Sequence, residues 1–436
     1  MKRKGLILKI GILIFQGIFL LAATVFSIYS QDTRSYISPT PGEFPIVAST
    51  VFNNLIGPQK SDLTDIKESG FNLCMHSSTS ERFEKLLENM EGTGLKLLPH
   101  NSSFLCTENS TEEEWTEKLS AFVNKFKNNP LIAGWEFNDE PQWRELPEMK
   151  KRYDLLRALD PNRFILLNLV GELDKKYTGP CKTLSEYLDS VQTYFNLNVW
   201  SSDLYPIWIR NNKFEVRYQN FYDDLEIFSK KAKESGIPMW AYCESMEYTA
   251  KHHSRPAGTL SYLSFEAFSA LAYGAQGIVY WTYWMRPPTA IEHYLSALVD
   301  LEGNRTPAWY AAKSVNSQIR ALEHVFLGAE LIECVHTGNI SLKRIIPSLQ
   351  QFGPIEKLTN EEKGVLVSHL KNGAHNYLMI VNHDVLNKQK IHIVFRKAAS
   401  VTQLKVSSSG KLTKNNVKSN KNITLLPGGY SIFEWK

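Results

Sequence analysis

Eight short β-rich runs recur between residues 45 and 284, each separated from the next by a stretch of helical periodicity. This alternation constrains the fold more than any other feature. The runs begin at Pro45 (PIVAST), Phe71 (FNLCMH), Lys96 (KLLPH), Leu131 (LIAGWEF), Arg163 (RFILLNLV), Val199 (VWSSDLYP), Pro238 (PMWAYCES) and Gly277 (GIVYWTYW). Between them, residues 111–126 (TEEEWTEKLSAFVNKF) set Trp115, Leu119, Phe122, Val123 and Phe126 at the spacing of one helix face. Ser61 caps one helix that Gly70 ends, and Gly236 with Pro238 ends another just before a strand. Strand–helix units of about 30–35 residues demand parallel strands joined by crossover helices. Eight such units predict an α/β fold, a closed (β/α)8 barrel rather than an open sheet, with residues 307–325 supplying the last helix.

The pattern changes near Leu327. Strand-like runs without helices follow at 364–370, 376–381, 390–395, 403–405, 422–426 and 430–435, punctuated by Asn372-Gly373 and Pro427-Gly428-Gly429. These predict a small antiparallel β-sandwich. At the other end, Lys2, Arg3, Lys4 and Lys9 precede an apolar run over residues 11–29, broken only by Gln16 and small residues. That order is a secretory signal, and it predicts a secreted or periplasmic protein. The run is also long enough to span a bilayer, so a retained N-terminal anchor is the alternative, and no other stable membrane insertion is expected. The expected organisation is a signal over 1–30, the barrel over 31–327 and the sandwich over 328–436.

The chain holds 49 basic and 45 acidic residues, and the four basic residues of the leader account for the excess. What remains is neutral, which excludes a globally polybasic nucleic-acid binder and argues against disorder. Cys74, Cys106, Cys181, Cys243 and Cys334 are scattered, forming neither a disulfide framework nor a paired metal-ligand spacing. Neither a Walker loop nor a glycine-rich dinucleotide turn is present, so no cofactor is expected.

Chemistry in such a barrel gathers at the carboxyl ends of the strands. Strand one ends near Asn53 and Asn54, strand two at His76, strand three at His100, and strand four in Asn138-Asp139-Glu140-Pro141. Strand five offers Asn168, strand six Asp203 and Tyr205, strand seven Glu244 with Glu247 beyond it, and strand eight Trp281 and Trp284. Acids on strands four and seven would face one another across a mouth ringed by aromatics and amides. Cleavage of a glycosidic bond needs these groups: one carboxylic acid protonates the leaving oxygen, and a second carboxylate attacks the anomeric carbon or activates water. Aromatic rings such as Trp281 stack on sugar faces, while His76, His100, Asp139, Asn168, Asp203 and Tyr205 are candidate hydroxyl readers. Each has a plainer reading: a loop charge for Glu247, a carboxylate paired with Arg255 for Glu244, a turn set by Pro206 for Asp203 and Tyr205. Trp281 and Trp284 lie three apart, so at most one faces the mouth, and Trp281 is preferred. Glu266 is expected as a surface charge or an ion-pair partner, and His252-His253 as a loop. No metal role is expected for the histidines.

The motif AGWEFNDEP (residues 133–141) resembles the strand-four motif of clan A glycoside hydrolases. SFEAFSALAYGAQGIVYWTYW (residues 264–284) is similar to the segment leading into strand eight of β-galactosidase-like TIM barrels, including glycoside hydrolase family 42. SALVDLEGNRTPAWYAAKSVNSQI (residues 296–319) and the closing LLPGGYSIFEW resemble secreted bacterial members of the group. The resemblance runs from about residue 45 to the end. It implies Glu140 as acid/base and Glu244 as nucleophile, with Glu247 as the alternative on strand seven. It also implies an oligosaccharide or glycoside substrate, β-galactosides first. One position departs: where the clan carries Asn ahead of the acid/base, this chain has Asp139. An adjacent anion there would raise the pKa of Glu140, which suits a general acid. The other class of function compatible with these residues is a non-catalytic glycan-binding protein on a degenerate barrel. Residues 386–436 hold ten basic residues against one acid, Glu434, which leaves the barrel acidic and suited to a neutral sugar.

Overall fold

The structure is a computed structural model that describes residues 37–52, 57, 59–105, 111–250, 253–289, 292–346, 348–360 and 363–436. The expected signal, Asn53, Asn54, Cys106 and His252 lie outside the described residues. All eight expected barrel strands form: β1 (Ile46–Ser49), β2 (Leu73–Ser77), β3 (Lys96–His100), β4 (Gly134–Asp139), β5 (Phe164–Leu169), β6 (Trp200–Ser202), β7 (Met239–Glu244) and β8 (Ile278–Trp281). They pair in parallel in the order β3-β2-β1-β8-β7-β6-β5-β4. A parallel bridge between Leu97 and Ile132, with the Ala133 amide donating to the Leu97 carbonyl at 2.9 Å, joins β3 to the start of β4 and closes the ring.

Among the described residues, eight helices form the outer layer: α1 (Lys60–Glu68), α2 (Ser80–Met90), α3 (Glu112–Phe126), α4 (Leu146–Leu159), α5 (Leu184–Tyr194), α6 (Tyr218–Ser235), α7 (Leu260–Ala272) and α8 (Pro307–Ala321). In α3, Trp115, Leu119, Phe122, Val123 and Phe126 are all buried, as their spacing requires, and Thr111 and Glu114 close a capping box at its start. Strand alternation divides the core in two. Val47, Leu73, Met75, Leu98, Phe164, Leu166, Val199, Trp240, Tyr242 and Val279 fill the barrel interior. The intervening residues, such as Cys74, Leu97, Trp135, Leu167, Ala241 and Tyr280, face the helices. Gly277 enters β8 where the Trp240 indole crosses the interior, and a Cβ there would lie 2.6 Å from that ring.

The C-terminal residues form a seven-stranded and a four-stranded sheet. Ile355, Leu358, Ile391 and Ile393 of the smaller sheet pack on Val365, Val367, Leu378 and Ile380 of the larger, making the sandwich core. Strands Glu330–Thr337, Ile345–Ile346, Leu349–Phe352, Ile355–Asn360 and Leu412–Asn416 complete it beyond those the sequence announces. The far face of the large sheet, with Leu366, Leu370, Met379 and Val381, joins the helix-side core of the barrel. The covered helix is α7, whose Ala272 carbonyl accepts from the Ser368 hydroxyl at 2.6 Å. Glu266 on α7 is buried rather than a surface charge, at 2% exposure, with its carboxyl turned to the barrel, where it accepts from the Glu244 amide.

A third sheet is legible only in the structure. Strands Ile207–Arg210, Lys213–Val216, Glu247–Ala250, His253–Arg255 and Glu292–Ser296 leave the barrel after β6, β7 and β8 and pair with one another. The first two make a hairpin turning on Asn211 and Asn212, both with positive φ, as a two-residue turn requires. Glu247 and His253 thus lie in strands rather than in loops. Among the described residues, no helix is long and apolar enough to cross a membrane, and no group of three or more metal-ligating side chains gathers.

Candidate active site

Parity decides which side chains reach the mouth. On β7, Trp240 and Tyr242 point inward, so Glu244 does too; on β8, Val279 places Trp281 inward. On β5, Leu166 places Asn168 inward, and on β6, Val199 does the same for Ser201 and then Asp203. On β4, Trp135 and Phe137 face the helices, which turns Glu136 inward. The register then slips between Glu136 and Asn138, so the next inward residue is Asp139. His76 is not part of this group. Leu73 and Met75 occupy the inward positions of β2, and His76 lies on the helix side, its ring 3.7 Å from that of Phe52. Burial drives its pKa down to about 3, an imidazole kept neutral by its packing.

Glu140 follows β4 with φ +44°, a left-handed conformation that is unusual for any residue carrying a Cβ. Its amide donates to the Asn168 carbonyl at 3.0 Å, and Pro141 behind it disfavours the right-handed helical alternative. Burial raises the Glu140 carboxyl first and the Asp139 charge second, opposed by hydrogen bonds from Asp203 and Tyr177 and by the Lys176 ammonium. Asp139 thus raises its neighbour as an adjacent like charge does. Asp139 opens to the mouth on one side but is enclosed on the others. Burial raises it, while the Asn168 amide and Arg286 hold against that. Both ends of the Asn168 side chain are hydrogen-bonded, one to Asp139 and the other to Ser201. Its Nδ2 donates to Asp139 Oδ1 at 2.8 Å, and its Oδ1 accepts from Ser201 Oγ at 3.1 Å. Asn168 thus holds Asp139 in place.

Glu244 ends β7 at 4% exposure, with Arg255 Nε 3.8 Å from Oε2. The guanidinium lies over the Trp208 ring at 3.6 Å, and Nη1 donates to the Tyr205 carbonyl at 2.9 Å. Burial pushes Glu244 up to about 8 even though Arg255 and the Met246 amide favour its charge. The Glu244 amide in turn donates to the buried carboxyl of Glu266 at 2.7 Å. Trp281 is half-buried and stacked on Tyr205 at 6.1 Å and 27°, with Tyr248 edge-on beyond it. Trp284 is core, with its indole N–H on the Leu301 carbonyl. His100 holds its Nδ1 3.0 Å from the Glu136 carbonyl. Glu247 opens the strand paired with Glu292–Ser296, opposite Ser296.

Two phenols tie the acids into one site. The Tyr205 hydroxyl, raised chiefly by burial, feels Asp203, Glu244 and Asp139, and Tyr242 feels Asp139, Glu136, Asp203 and Glu140. Glu136, Tyr242, Tyr177 and Arg286 are the members that sequence reading misses. Alternation from Trp135 would have flagged Glu136, and alternation back from Glu244 would have flagged Tyr242; Tyr177 and Arg286 carry no sequence signal.

Glu136 and Glu244 are each pushed by burial from an ordinary 4.5 to about 8. In the unfolded chain both titrate at the ordinary value, so between about pH 4.5 and 8 the folded protein binds more protons. The stability carried by their neutral forms is complete below that window and is lost as pH rises through it. Thermal melts from pH 5 to 8 should therefore show a falling Tm, and Glu136→Gln or Glu244→Gln should each flatten the fall. A slope unchanged in both variants contradicts this assignment.

The sequence profile of the family described as β-galactosidase, glycoside hydrolase family 42, matches residues 148–322. That span holds Glu244 and Trp281 and begins after Glu140. A family 42 β-galactosidase from G. stearothermophilus, solved as a catalytic mutant, superposes with a TM-score of 0.58 at 11% identity, covering 91% of this chain and 99% of that one. The β-galactosidase from Bacillus circulans sp. alkalophilus gives 0.56 at 9% identity, covering 90% and 99%. These chains share the barrel followed by an all-β region. The β-galactosidase from Marinomonas ef1 gives 0.47 at 11% identity over 65% of this chain, and the chain spans 60% of that protein's length. No curated protein sequence matches the chain.

Proposed function

We propose that this protein is a retaining β-glycosidase, with β-galactosides as its first substrates, acting on a terminal or internal sugar of an oligosaccharide. The observation that carries the reading is that acids from the ends of β4 and β7 surround the same two phenols, Asp139 and Glu244 acting on Tyr205 and Asp139 and Glu140 on Tyr242, beside the stacked Trp281. Glu244, ionised against Arg255, attacks the anomeric carbon while Glu140 gives its proton to the leaving oxygen. Glu140 then takes a proton from the water that releases the sugar. Asp139, held by Asn168, accepts from a sugar hydroxyl in the place where the clan has Asn. Trp281 offers its face to the ring of the sugar. The likeness to family 42 supports β-galactosides, and the basic-then-apolar leader supports export, with the barrel over 31–327 and the sandwich over 328–436.

The test is a panel of chromogenic α- and β-glycosides, run with wild type and with Glu140→Gln. Hydrolysis confined to β-glycosides, with β-galactosides foremost, is the expected result. Tight oligosaccharide binding with no hydrolysis anywhere on the panel overturns the reading and favours a glycan-binding barrel.

A further inference from the structure

Glu244 is aimed by its backbone more than by its carboxyl. Arg255 Nε, the cation paired with it, stands 3.8 Å from Oε2, beyond hydrogen-bond reach. The direction of the side chain therefore depends on where its Cα sits, and the last amide of β7 settles that. Along a parallel strand the amides alternate between the two neighbouring strands. That of Ser245 donates to the Trp281 carbonyl of β8 at 3.0 Å, so that of Glu244 points to the β6 side. There the ladder has run out, because β6 ends at Ser202, opposite Ala241. A buried amide needs an acceptor, and here another element supplies it. Glu266 Oε2 on α7 accepts from the Glu244 amide at 2.7 Å, and the two residues are 2% and 4% exposed. We propose that Glu266 is the positioning residue of the nucleophile, its carboxyl standing in for the strand carbonyl that β6 is too short to provide. This role rests on the glycosidase reading, since that reading makes Glu244 the nucleophile.

A side chain can act as such a strut only if the helix that carries it is fixed. The sandwich clasps α7 along another face. The Phe268 ring stacks on Tyr430 at 3.7 Å and 27°, and the Ala272 carbonyl accepts from the Ser368 hydroxyl at 2.6 Å. Gly428 comes so near that a Cβ on it would lie 3.0 Å from that of Phe265. Phe265, Phe268 and Ala272 follow one stripe of the helix, and Glu266 leaves to the side of it, toward the barrel. The sandwich thus supports the nucleophile from behind, through α7 and Glu266. A displacement of about 1 Å at a reacting group can cost about a hundred-fold in rate. The Glu244 oxygen must meet the anomeric carbon in line, so the reach of this strut matters more than its charge.

Three variants separate reach from charge. Glu266→Gln keeps an oxygen acceptor at the same reach, Glu266→Asp keeps the carboxyl but draws it back by a methylene, and Glu266→Ala removes it. On a β-galactoside, kcat should fall about ten- to a hundred-fold in Glu266→Asp and Glu266→Ala, with KM changed less than about twofold. Glu266→Gln should stay within about threefold of wild type, because the acceptor is still in place. If Glu266→Ala fails to fold, Glu266→Asp carries the same comparison. A Glu266→Gln variant as impaired as Glu266→Asp, or a Glu266→Asp variant as active as wild type, overturns the proposal. A second measurement needs no turnover. Hydrogen exchange at the Glu244 amide should be at least about tenfold faster in Glu266→Asp than in wild type, and unchanged in Glu266→Gln. That pattern with no hydrolysis of any glycoside by wild type keeps the strut and sinks only the glycosidase reading. Equal exchange in all three proteins sinks the strut itself.

Discussion

Replacing Glu140 with Gln should lower kcat on a β-glycoside by about 10²–10⁴-fold, the range for loss of a general acid. The expectation follows from how the residue is held. A left-handed backbone at φ +44° and an amide bonded to the Asn168 carbonyl fix its direction, and Gln can occupy the same place. What Gln cannot do is release a proton. Burial and Asp139 raise the Glu140 carboxyl, which favours the protonated form that a general acid needs. The loss should shrink on a substrate with a strongly acidic phenol as leaving group, which departs without protonation. Unchanged melting alongside the lost rate would assign the effect to chemistry. Equal rates for variant and wild type on an alkyl glycoside would remove Glu140 from the mechanism.

Replacing Glu244 with Ala should cost more, on the order of 10⁴-fold or above, as when a group forming a covalent intermediate is deleted. Azide should restore part of the rate by entering the space vacated beside Arg255, and the product of a β-glycoside should then be the α-glycosyl azide. The wild-type profile carries a second mark of this residue. Glu244 attacks only when ionised, and burial sets its pKa at about 8 in the free protein. kcat/KM should therefore rise with pH up to about that value, an alkaline position for a carboxylate-driven reaction. An acid limb near the ordinary carboxylate range would show that Arg255 dominates over burial.

The barrel was legible because its signals are local. Each strand run and each helix stripe carries its own periodicity, and the motif around Glu140 is compact. The errors arise where a side chain's fate depends on distant chain. Glu266 reads as a helix surface residue, yet α7 lies between the barrel and strands Val365–Asn372 and His375–Asn382, buried from Leu263 to Ala272 without a break, and the Glu266 carboxyl meets the Glu244 amide on the barrel side. His76 ends a strand in the right place but on the wrong parity. The register slip at β4 lets Glu136 and Asp139, three apart, both point inward, so counting back from Asp139 passes over Glu136 although counting on from Trp135 finds it. The third sheet was missed because its strands are short, and because pairing among three separate barrel loops is invisible to any local pattern. That sheet also supplies Arg255, the cation that Glu244 needs.

The central claim is a covalent glycosyl intermediate on Glu244, and trapping tests it most directly. A 2-deoxy-2-fluoro-β-galactoside with an activated leaving group slows release of the sugar more than its capture. Mass spectrometry of the digested protein should then find the fluorosugar on the peptide carrying Glu244, attached at that residue. A label on Glu136 or Glu247, or turnover that releases the α-anomer with no label at all, would contradict the account.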